Sequence, residues 1–165
     1  MSFKKIETKE NLINHISYYK ALSQWVVDNK ACFADSVLKD SKLDILLKLE
    51  PDKYVTNNCG ILLDCEAKRI FDKKPKHVES LAESIRFTLW NMVTIHSGVD
   101  CPNCIYDGGL LYVVIESENL PKKEIAFQCE LCQRILSLDG KEISEKDLTV
   151  IPANKEDVTT LSSKS

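Results

Sequence analysis

CPNC at Cys101–Cys104 and CELC at Cys129–Cys132 together hold four of the seven cysteines in this 165-residue chain. Within each stretch, two residues separate the cysteines, and this spacing lets both sulfurs point at one centre. Two such pairs complete a tetrahedron of thiolates, which is a common ligand set for a structural zinc ion. The spacing therefore predicts one structural zinc ion per chain. Its four expected ligands are Cys101, Cys104, Cys129 and Cys132.

Other chemistries of the paired cysteines fit the sequence less well. Disulfide bonds form in oxidising compartments, and the start of the chain, MSFKKIETKENL, carries no export signal. A dithiol redox motif usually occurs as one C-x-x-C pair near a βαβ pattern, whereas this chain has two pairs in a β context. Plain or regulatory thiols are a further interpretation. Because four thiolates fill the coordination shell, a catalytic zinc ion, which keeps one position open, is not expected.

The N-terminal part of the chain shows helical periodicity. Apolar residues recur every three or four positions from Leu12 to Val26, within 34–49 and within 75–96. The second of these segments is expected to stop before Pro51, because the residue before a proline disfavours the helical conformation. Residues 57–71 fit either a short helix or a strand, and we favour the helix.

After residue 98 the pattern changes to β structure. β-branched and aromatic residues predict strands at Leu110–Glu116 and Glu124–Gln128. Asp139 and Gly140 form a dipeptide that is typical of a hairpin turn between apolar runs. Each cysteine pair precedes a predicted strand, so the strands can bring the two pairs together.

The two patterns together predict an α+β fold. We expect an N-terminal helical bundle at 1–97, a small antiparallel β segment at 98–151 and a flexible tail at 152–165. A β segment of this size buries too little apolar surface to be stable alone. Zinc binding can contribute on the order of 10 kcal/mol to such a fold, so the metal is expected to hold the β segment together.

Residues 99–143 resemble a zinc ribbon. The resemblance rests on the two C-x-x-C pairs, on the strands after them and on Pro102 within the first pair, which is typical of that superfamily. The chain departs from the pattern after each pair, where glycine is common but Ile105 and Gln133 stand. This departure affects the expected turn geometry and leaves the ligand set unchanged. The resemblance implies a zinc-ribbon-like β segment and no specific function.

The charge of the chain is unevenly distributed. Net charge is −3; residues 1–50 and 51–96 each carry +1, and residues 97–165 carry seven basic against twelve acidic residues, giving −5. Proteins that bind nucleic acid tightly neutralise phosphates with a clustered basic surface, and the cysteine-bearing part of the chain lacks one. We therefore expect no tight binding to DNA or RNA.

A non-catalytic protein-binding module is the function that this profile favours. In profile only, the chain resembles bacterial immunity proteins, which are small, acidic, cytosolic proteins that bind and neutralise a cognate toxin, often a basic nuclease. That resemblance implies a basic protein partner, which electrostatic complementarity would help to capture. The expected contact residues are acidic and lie on or beside the β segment: Asp107, Glu116, Glu118, Glu124 and Glu130.

Two other classes of function stay open. One is a nucleic-acid-binding zinc ribbon, as in many transcription factors. It is favoured because zinc ribbons often bind nucleic acid, and it is opposed by the net charge of −5 on residues 97–165. An enzyme with a structural zinc ion is the third class, although the sequence shows no G-x-S-x-G, no phosphate-binding glycine loop and no H-E-x-x-H. Because the sequence contains neither a long apolar run nor a signal peptide, we expect a cytoplasmic protein that does not contact membranes.

Several other residues have an ordinary interpretation beside a functional one. His96 is expected to end the third helix, and a role as a metal ligand is its alternative. Cys32, Cys59 and Cys65 lack metal-ligand spacing and are expected to be buried apolar side chains. The basic run Arg69–His77 could contact nucleic acid or an acidic partner, and a solvated loop is its plainer interpretation.

Overall fold

The structure is a computed structural model that describes residues 15–40, 42–56, 78–104 and 108–163. The chain divides into two compact units, Met1–Val93 and Thr94–Ser165. Helices form the first unit and an antiparallel sheet forms most of the second. The predicted α+β class is thereby confirmed. The boundary between the units follows Val93, whereas the sequence placed it after residue 97. Residue 97 lies inside the first strand of the sheet.

The helices described in the first unit are a long one, three short ones and a second long one, and a 3-10 turn at Lys30–Cys32 follows the first. The helices described there are α1 (His15–Asp28), α2 (Asp35–Asp40), α3 (Leu43–Leu47), α4 (Pro51–Tyr54) and α5 (Val78–Val93).

An apolar core holds these helices together. Helix α1 buries Tyr19 and Leu22, and α5 buries Ile85 and Leu89, in each case at the spacing of one helical stripe. The Tyr19 hydroxyl donates a hydrogen bond of 2.5 Å to the carbonyl oxygen of Leu46 in α3. Burial raises the pKa of this hydroxyl, so it stays a donor. The predicted helical periodicity is confirmed for these two helices.

The helix predicted over 34–49 is interrupted. Lys42 has a φ of 57°, in the left-handed region, so α2 ends at Asp40 and α3 begins at Leu43. A left-handed residue cannot continue a right-handed helix. Pro51 then opens α4, in a position where its missing N–H costs nothing. The predictions for Leu12 and for residues 57–71 fall outside the described residues.

The second unit is built on a five-stranded antiparallel sheet in the order β1-β2-β3-β4, in which β5 also pairs with β2. The strands are β1 (Ile95–Asp100), β2 (Gly109–Glu116), β3 (Glu124–Cys129), β4 (Ile135–Leu136) and β5 (Thr149–Pro152). The two strands predicted from composition are confirmed as β2 and β3. His96 lies in β1, because α5 already ends at Val93. The expectation that His96 ends a helix was therefore wrong.

The turn after β4 is the predicted hairpin. The amide of Ser137 donates to the carbonyl of Lys141 at 2.8 Å, and the amide of Gly140 donates to Ser137 at 2.9 Å. Gly140 has a φ of 84°, which a residue without Cβ adopts at little cost. The chain then returns beside β4 through a bridge between Leu136 and Glu142.

A helix occupies most of the segment that was expected to be a flexible tail. Helix α6 (Lys155–Ser162) begins with a capping box, in which Asn154 accepts from the Asp157 amide at 2.9 Å and Asp157 accepts from the Asn154 amide at 2.8 Å. These bonds satisfy amides that a helix start leaves unpaired. Among the described helices, none combines the length and apolar character needed to cross a membrane.

Candidate metal centre

Sheet pairing brings the two cysteine pairs together. Cys101 follows directly after β1, and Cys129 is the last residue of β3. β2 lies between these strands, and its Leu110 is in register with Cys129. On the other side of β2, Asp100 pairs with Gly109. The antiparallel register therefore places both cysteine pairs at one end of the sheet, here called the metal end.

The four sulfur atoms have the spacing of a tetrahedral metal site. All lie within 4.8 Å of one another. The sulfurs of Cys101 and Cys132 are 3.8 Å apart, and those of Cys104 and Cys129 are 3.7 Å apart. A tetrahedron with a Zn–S distance of about 2.3 Å has an edge of about 3.8 Å. The four predicted ligands thus form a cluster that fits a zinc ion.

Hydrogen bonds and burial give the thiols of Cys101, Cys104 and Cys129 different acidities. Burial alone would raise the pKa of Cys129, but the amides of Cys132 and Leu131 donate to its sulfur, each at 3.4 Å, and lower the pKa to about 7. Burial and the neighbouring thiols raise the pKa of Cys104 to about 12. Burial also raises the pKa of Cys101. Four thiolates this close repel one another, so a divalent cation is the natural counter-charge.

Gly108 allows the first cysteine pair to fold around the cluster. A Cβ atom at Gly108 would lie 2.7 Å from the Cβ of Cys104 and 3.1 Å from the sulfur of Cys129. The carbonyl of Gly108 also accepts a 2.6 Å hydrogen bond from the amide of Cys101. Sequence reasoning did not identify this residue, although the Gly108-Gly109 dipeptide is the kind of signal that marks close backbone approach.

Gln133 follows the second cysteine pair, at the position where zinc ribbons commonly have a glycine. Its φ is 60°, in the left-handed region that glycine adopts readily. The Gln133 side chain donates to the carbonyl of Glu130 at 2.7 Å and accepts from the buried amide of Gln128 at 3.2 Å. These two hydrogen bonds of the side-chain amide stabilise the turn and offset the strain of its left-handed backbone. Ile105, the other departure from the zinc-ribbon pattern, lies outside the described residues.

Apolar side chains surround the cluster on the sheet. Leu110, Phe127 and Leu136 are buried in one group with Cys101 and Cys129. Tyr112 packs at its edge, with ring centroids of Tyr112 and Phe127 5.2 Å apart. This packing excludes water from one side of the sulfurs.

The predicted partner-contact residues do not lie together. Glu130 is at the metal end, where its carboxylate is 3.8 Å from Nδ1 of His96. Glu116 and Glu118 lie at and beyond the last residue of β2, and Glu124 begins β3. β2 is eight residues long, so the two groups are separated by about 20 Å along it. Asp107 lies outside the described residues.

An open cleft of about 530 Å³ lies at the end of the sheet opposite the metal end. We call it the distal cleft. It contains three carboxylates and one ammonium group, and Lys123 forms an ion pair with Glu116 beside it. The lining residues are Glu116, Ser117, Glu118, Asn119, Lys146, Asp147 and Thr149.

Among the described residues, the candidates His96 and Cys32 are not part of the cluster. His96 is exposed in β1, and the group of possible metal ligands found among the described residues consists of the four cysteines without it. Cys32 is half-buried in the 3-10 turn of the helical unit, whereas burial was expected. Cys59, Cys65 and the basic run 69–77 lie outside the described residues.

No family model, no curated protein and no solved structure matches this chain. The resemblance to zinc ribbons therefore rests on the cysteine spacing, the strand order around it and the sulfur geometry.

Proposed function

We propose that this chain is a non-catalytic protein-binding module with one structural zinc ion, and that it acts as an immunity-type protein that binds and neutralises a basic toxin. The observation that carries the proposal is the cluster of four cysteine sulfurs at tetrahedral distances. A zinc ion with four thiolate ligands has no coordination position left for a substrate. The ion would stabilise the β unit, and recognition would be left to the surface around it.

The charge of the β unit supports a basic partner. Residues 97–165 carry −5, and a zinc ion with four thiolates adds a formal −2 at the metal end, since the ion contributes +2 and the sulfurs −4. Complementary charge speeds the encounter of two proteins and selects against partners of like charge.

Carboxylates that already form ion pairs within the chain are less available for contact with a partner. Glu116 is paired with Lys123, Glu142 with Arg134 and Asp139 with Lys141. Glu118 and Glu124 are exposed, and at the sheet's distal end they are the better candidates for contact. Charge reversal at Glu116 would also leave Lys123 beside a second cation, so Glu116 is the poorer position to test.

Association kinetics test the proposal. The partner is recovered from the native host with the metal-loaded chain as bait, and its ability to kill or arrest cells in the absence of the chain is measured. The association rate is then compared at two salt concentrations for the wild type and for the double variant Glu118→Lys, Glu124→Lys. We expect slower association and a weaker salt dependence in the variant, because exposed charges act mainly on the on-rate.

The control has the same change in charge at another place on the unit. The double variant Asp100→Lys, Glu156→Lys changes two exposed carboxylates that lie outside the distal cleft, and it is expected to associate almost as fast as the wild type. Equal slowing in both variants would indicate a general charge effect without a defined contact surface. Tight binding of DNA or RNA by the purified chain, with a steep salt dependence, would instead support the nucleic-acid-binding zinc ribbon. A partner that is harmless to cells would contradict the immunity proposal.

A further inference from the structure

The four cysteines of the metal centre differ in their exposure to solvent. Cys101 is 3% exposed and Cys129 is 0% exposed. Cys104 is half-buried, and Cys132 is exposed. A metal-bound cysteine is a thiolate, and the oxidation of cysteine follows thiolate character and exposure. A dissolved oxidant therefore meets the sulfur of Cys132 first.

The sulfur of Cys132 is in contact with a sulfur of the other cysteine pair. The sulfurs of Cys101 and Cys132 are 3.8 Å apart, in contact but about 1.7 Å longer than a disulfide bond. The turn that carries Cys132 ends at Gln133 and lies on the surface, so it can supply this small movement. Cys129 is placed differently, because the amides of Leu131 and Cys132 already donate to its sulfur.

We propose that Cys132 is a site of oxidation by hydroperoxides, and that its oxidation releases the metal by forming a disulfide bond between Cys101 and Cys132. This inference rests on the zinc centre of the proposed function, and it is independent of the partner.

The reaction needs one hydroperoxide and two thiolates. The Cys132 sulfur attacks one peroxide oxygen, the O–O bond breaks, and the other oxygen leaves and takes up a proton from water. The product at Cys132 is a sulfenic acid. The Cys101 sulfur then attacks the Cys132 sulfur, the S–O bond breaks, and hydroxide leaves and is protonated to water. Two thiolates have lost two electrons, and one hydroperoxide has been reduced to an alcohol or water and one further water.

Oxidation would leave only half of the ligand set. Cys104 and Cys129 are the thiolates that remain, and two ligands hold a zinc ion far more weakly than four. The contact between Cys104 and Cys129 at 3.7 Å offers a second disulfide to a second equivalent of oxidant. The β unit would then lose the metal and its fold together.

Zinc release and disulfide mapping test this inference on the full chain. The zinc content of the purified protein is measured first, and a chain without zinc would contradict the metal centre itself. The zinc-loaded protein is then mixed with one equivalent of hydrogen peroxide and a chromogenic zinc chelator. Tandem mass spectrometry identifies the disulfides without reduction. We expect one zinc released per peroxide consumed and a dominant Cys101–Cys132 bond.

Two outcomes would overturn the inference while leaving the zinc centre intact. One is a dominant bond within a pair, Cys101–Cys104 or Cys129–Cys132. The other is peroxide consumed at Cys32 or another cysteine outside the cluster while zinc stays bound.

A matched pair of histidine variants separates the role of Cys132 from a general effect on the site. Histidine is a zinc ligand, so Cys132→His and Cys104→His each keep four donors. We expect Cys132→His to slow peroxide-driven release about tenfold or more, because the exposed thiolate is gone. Cys104→His keeps the exposed thiolate and its neighbour, and should release zinc at the wild-type rate. Unchanged release from Cys132→His would contradict the inference. If Cys132→His binds no zinc, the disulfide map of the wild type decides.

Discussion

Gln133 combines a strained backbone with two side-chain hydrogen bonds, and two substitutions separate these effects. Gln133→Ala keeps the left-handed φ of 60° and removes the bonds to Glu130 and Gln128. We expect it to lower the free energy of unfolding of the metal-loaded β unit by about 2 kcal/mol. Gln133→Gly loses the same bonds and relieves the backbone, so it should be about 1 kcal/mol more stable than Gln133→Ala. Chemical denaturation measures both. An alanine variant as stable as glycine would contradict the assigned strain.

Gly108 is predicted to control metal affinity through its lack of a side chain. Gly108→Ala would place a methyl group 2.7 Å from the Cβ of Cys104, and overpacking of this kind costs about 1–3 kcal/mol. Zinc affinity measured by chelator competition should fall by about five- to 140-fold, at 1.4 kcal/mol per factor of ten. Gly98→Ala is the control, because a Cβ there meets no atom within 4 Å although its φ of 76° strains the backbone. We expect its zinc affinity to be unchanged. Equal losses in both variants would contradict the steric account.

Zinc affinity is expected to depend more steeply on pH below pH 7 than above it. The metal binds thiolates and displaces protons from thiols. Cys104, with a pKa raised to about 12, is protonated in the metal-free protein throughout the neutral range. Cys129, with a pKa lowered to about 7, gains its proton only as the pH falls through that value. The plot of log affinity against pH should therefore steepen by one proton below pH 7, where affinity is lost faster. Chelator competition from pH 5.5 to pH 8.5 measures this, and a constant slope would contradict the low pKa of Cys129.

The residues of the centre were predictable to different degrees. Two-residue spacing within each pair identified all four ligands, because a metal site constrains spacing directly. Gly108 and Gln133 were not identified, since their roles depend on which atoms the folded chain brings beside them. The acidic residues show the same limit. Their net charge can be counted from the sequence. Their separation along β2 and the ion pair of Glu116 with Lys123 depend on the strand register, which the sequence does not show.

Removal of one ligand is expected to unfold the sheet and spare the helices. Cys104→Ser leaves three thiolates, and the structural metal would contribute most of the stability of the β unit. The helical unit has its own buried core, which includes Leu22, Ile85 and Leu89. Amide signals of β2 and β3 in NMR spectra should collapse into the random-coil range, and most of the far-ultraviolet helical signal should remain. Cys32→Ser, in the helical unit, is the control and should leave the β signals in place. A dispersed β spectrum in metal-free Cys104→Ser would contradict the account.

At the scale of elements, strands and turns with a local sequence signal were predicted, whereas the break in the helix expected over 34–49 was not. Strands β2 and β3 and the turn at Gly140 followed from β-branched runs and an Asp-Gly dipeptide. The break at Lys42, which has a φ of 57°, left no such mark, because lysine is an ordinary helix former. The start of α6 did carry a signal, the Asn-x-x-Asp capping box at Asn154, but the polar composition of the segment had suggested a tail. The short β1 has little apolar pattern, since most of its residues are exposed.

For the whole molecule, the periodicity of the sequence indicated the class of fold, and the basic partner inferred from charge stays a prediction. The structure adds where the charges of the described residues lie. The α+β order followed from the change in periodicity near residue 98. Among the acidic residues of the β unit, Glu130 lies at the metal end, whereas Glu116 and Glu118 line the distal cleft, and strand β2 connects the two. A partner that contacts one end need not contact the other. The central claim is therefore the metal centre, on which the β unit and both ends depend.

The metal content of the purified chain tests that claim most directly. The protein is prepared under reducing conditions, and its zinc and iron are measured by mass spectrometry together with its concentration. Iron is included because it also accepts a tetrahedron of four thiolates. The account predicts one zinc ion per chain and loss of the β signals in NMR spectra when a strong chelator removes it. A fully folded β unit without bound metal would contradict the account, and one iron per chain would contradict the assignment of zinc.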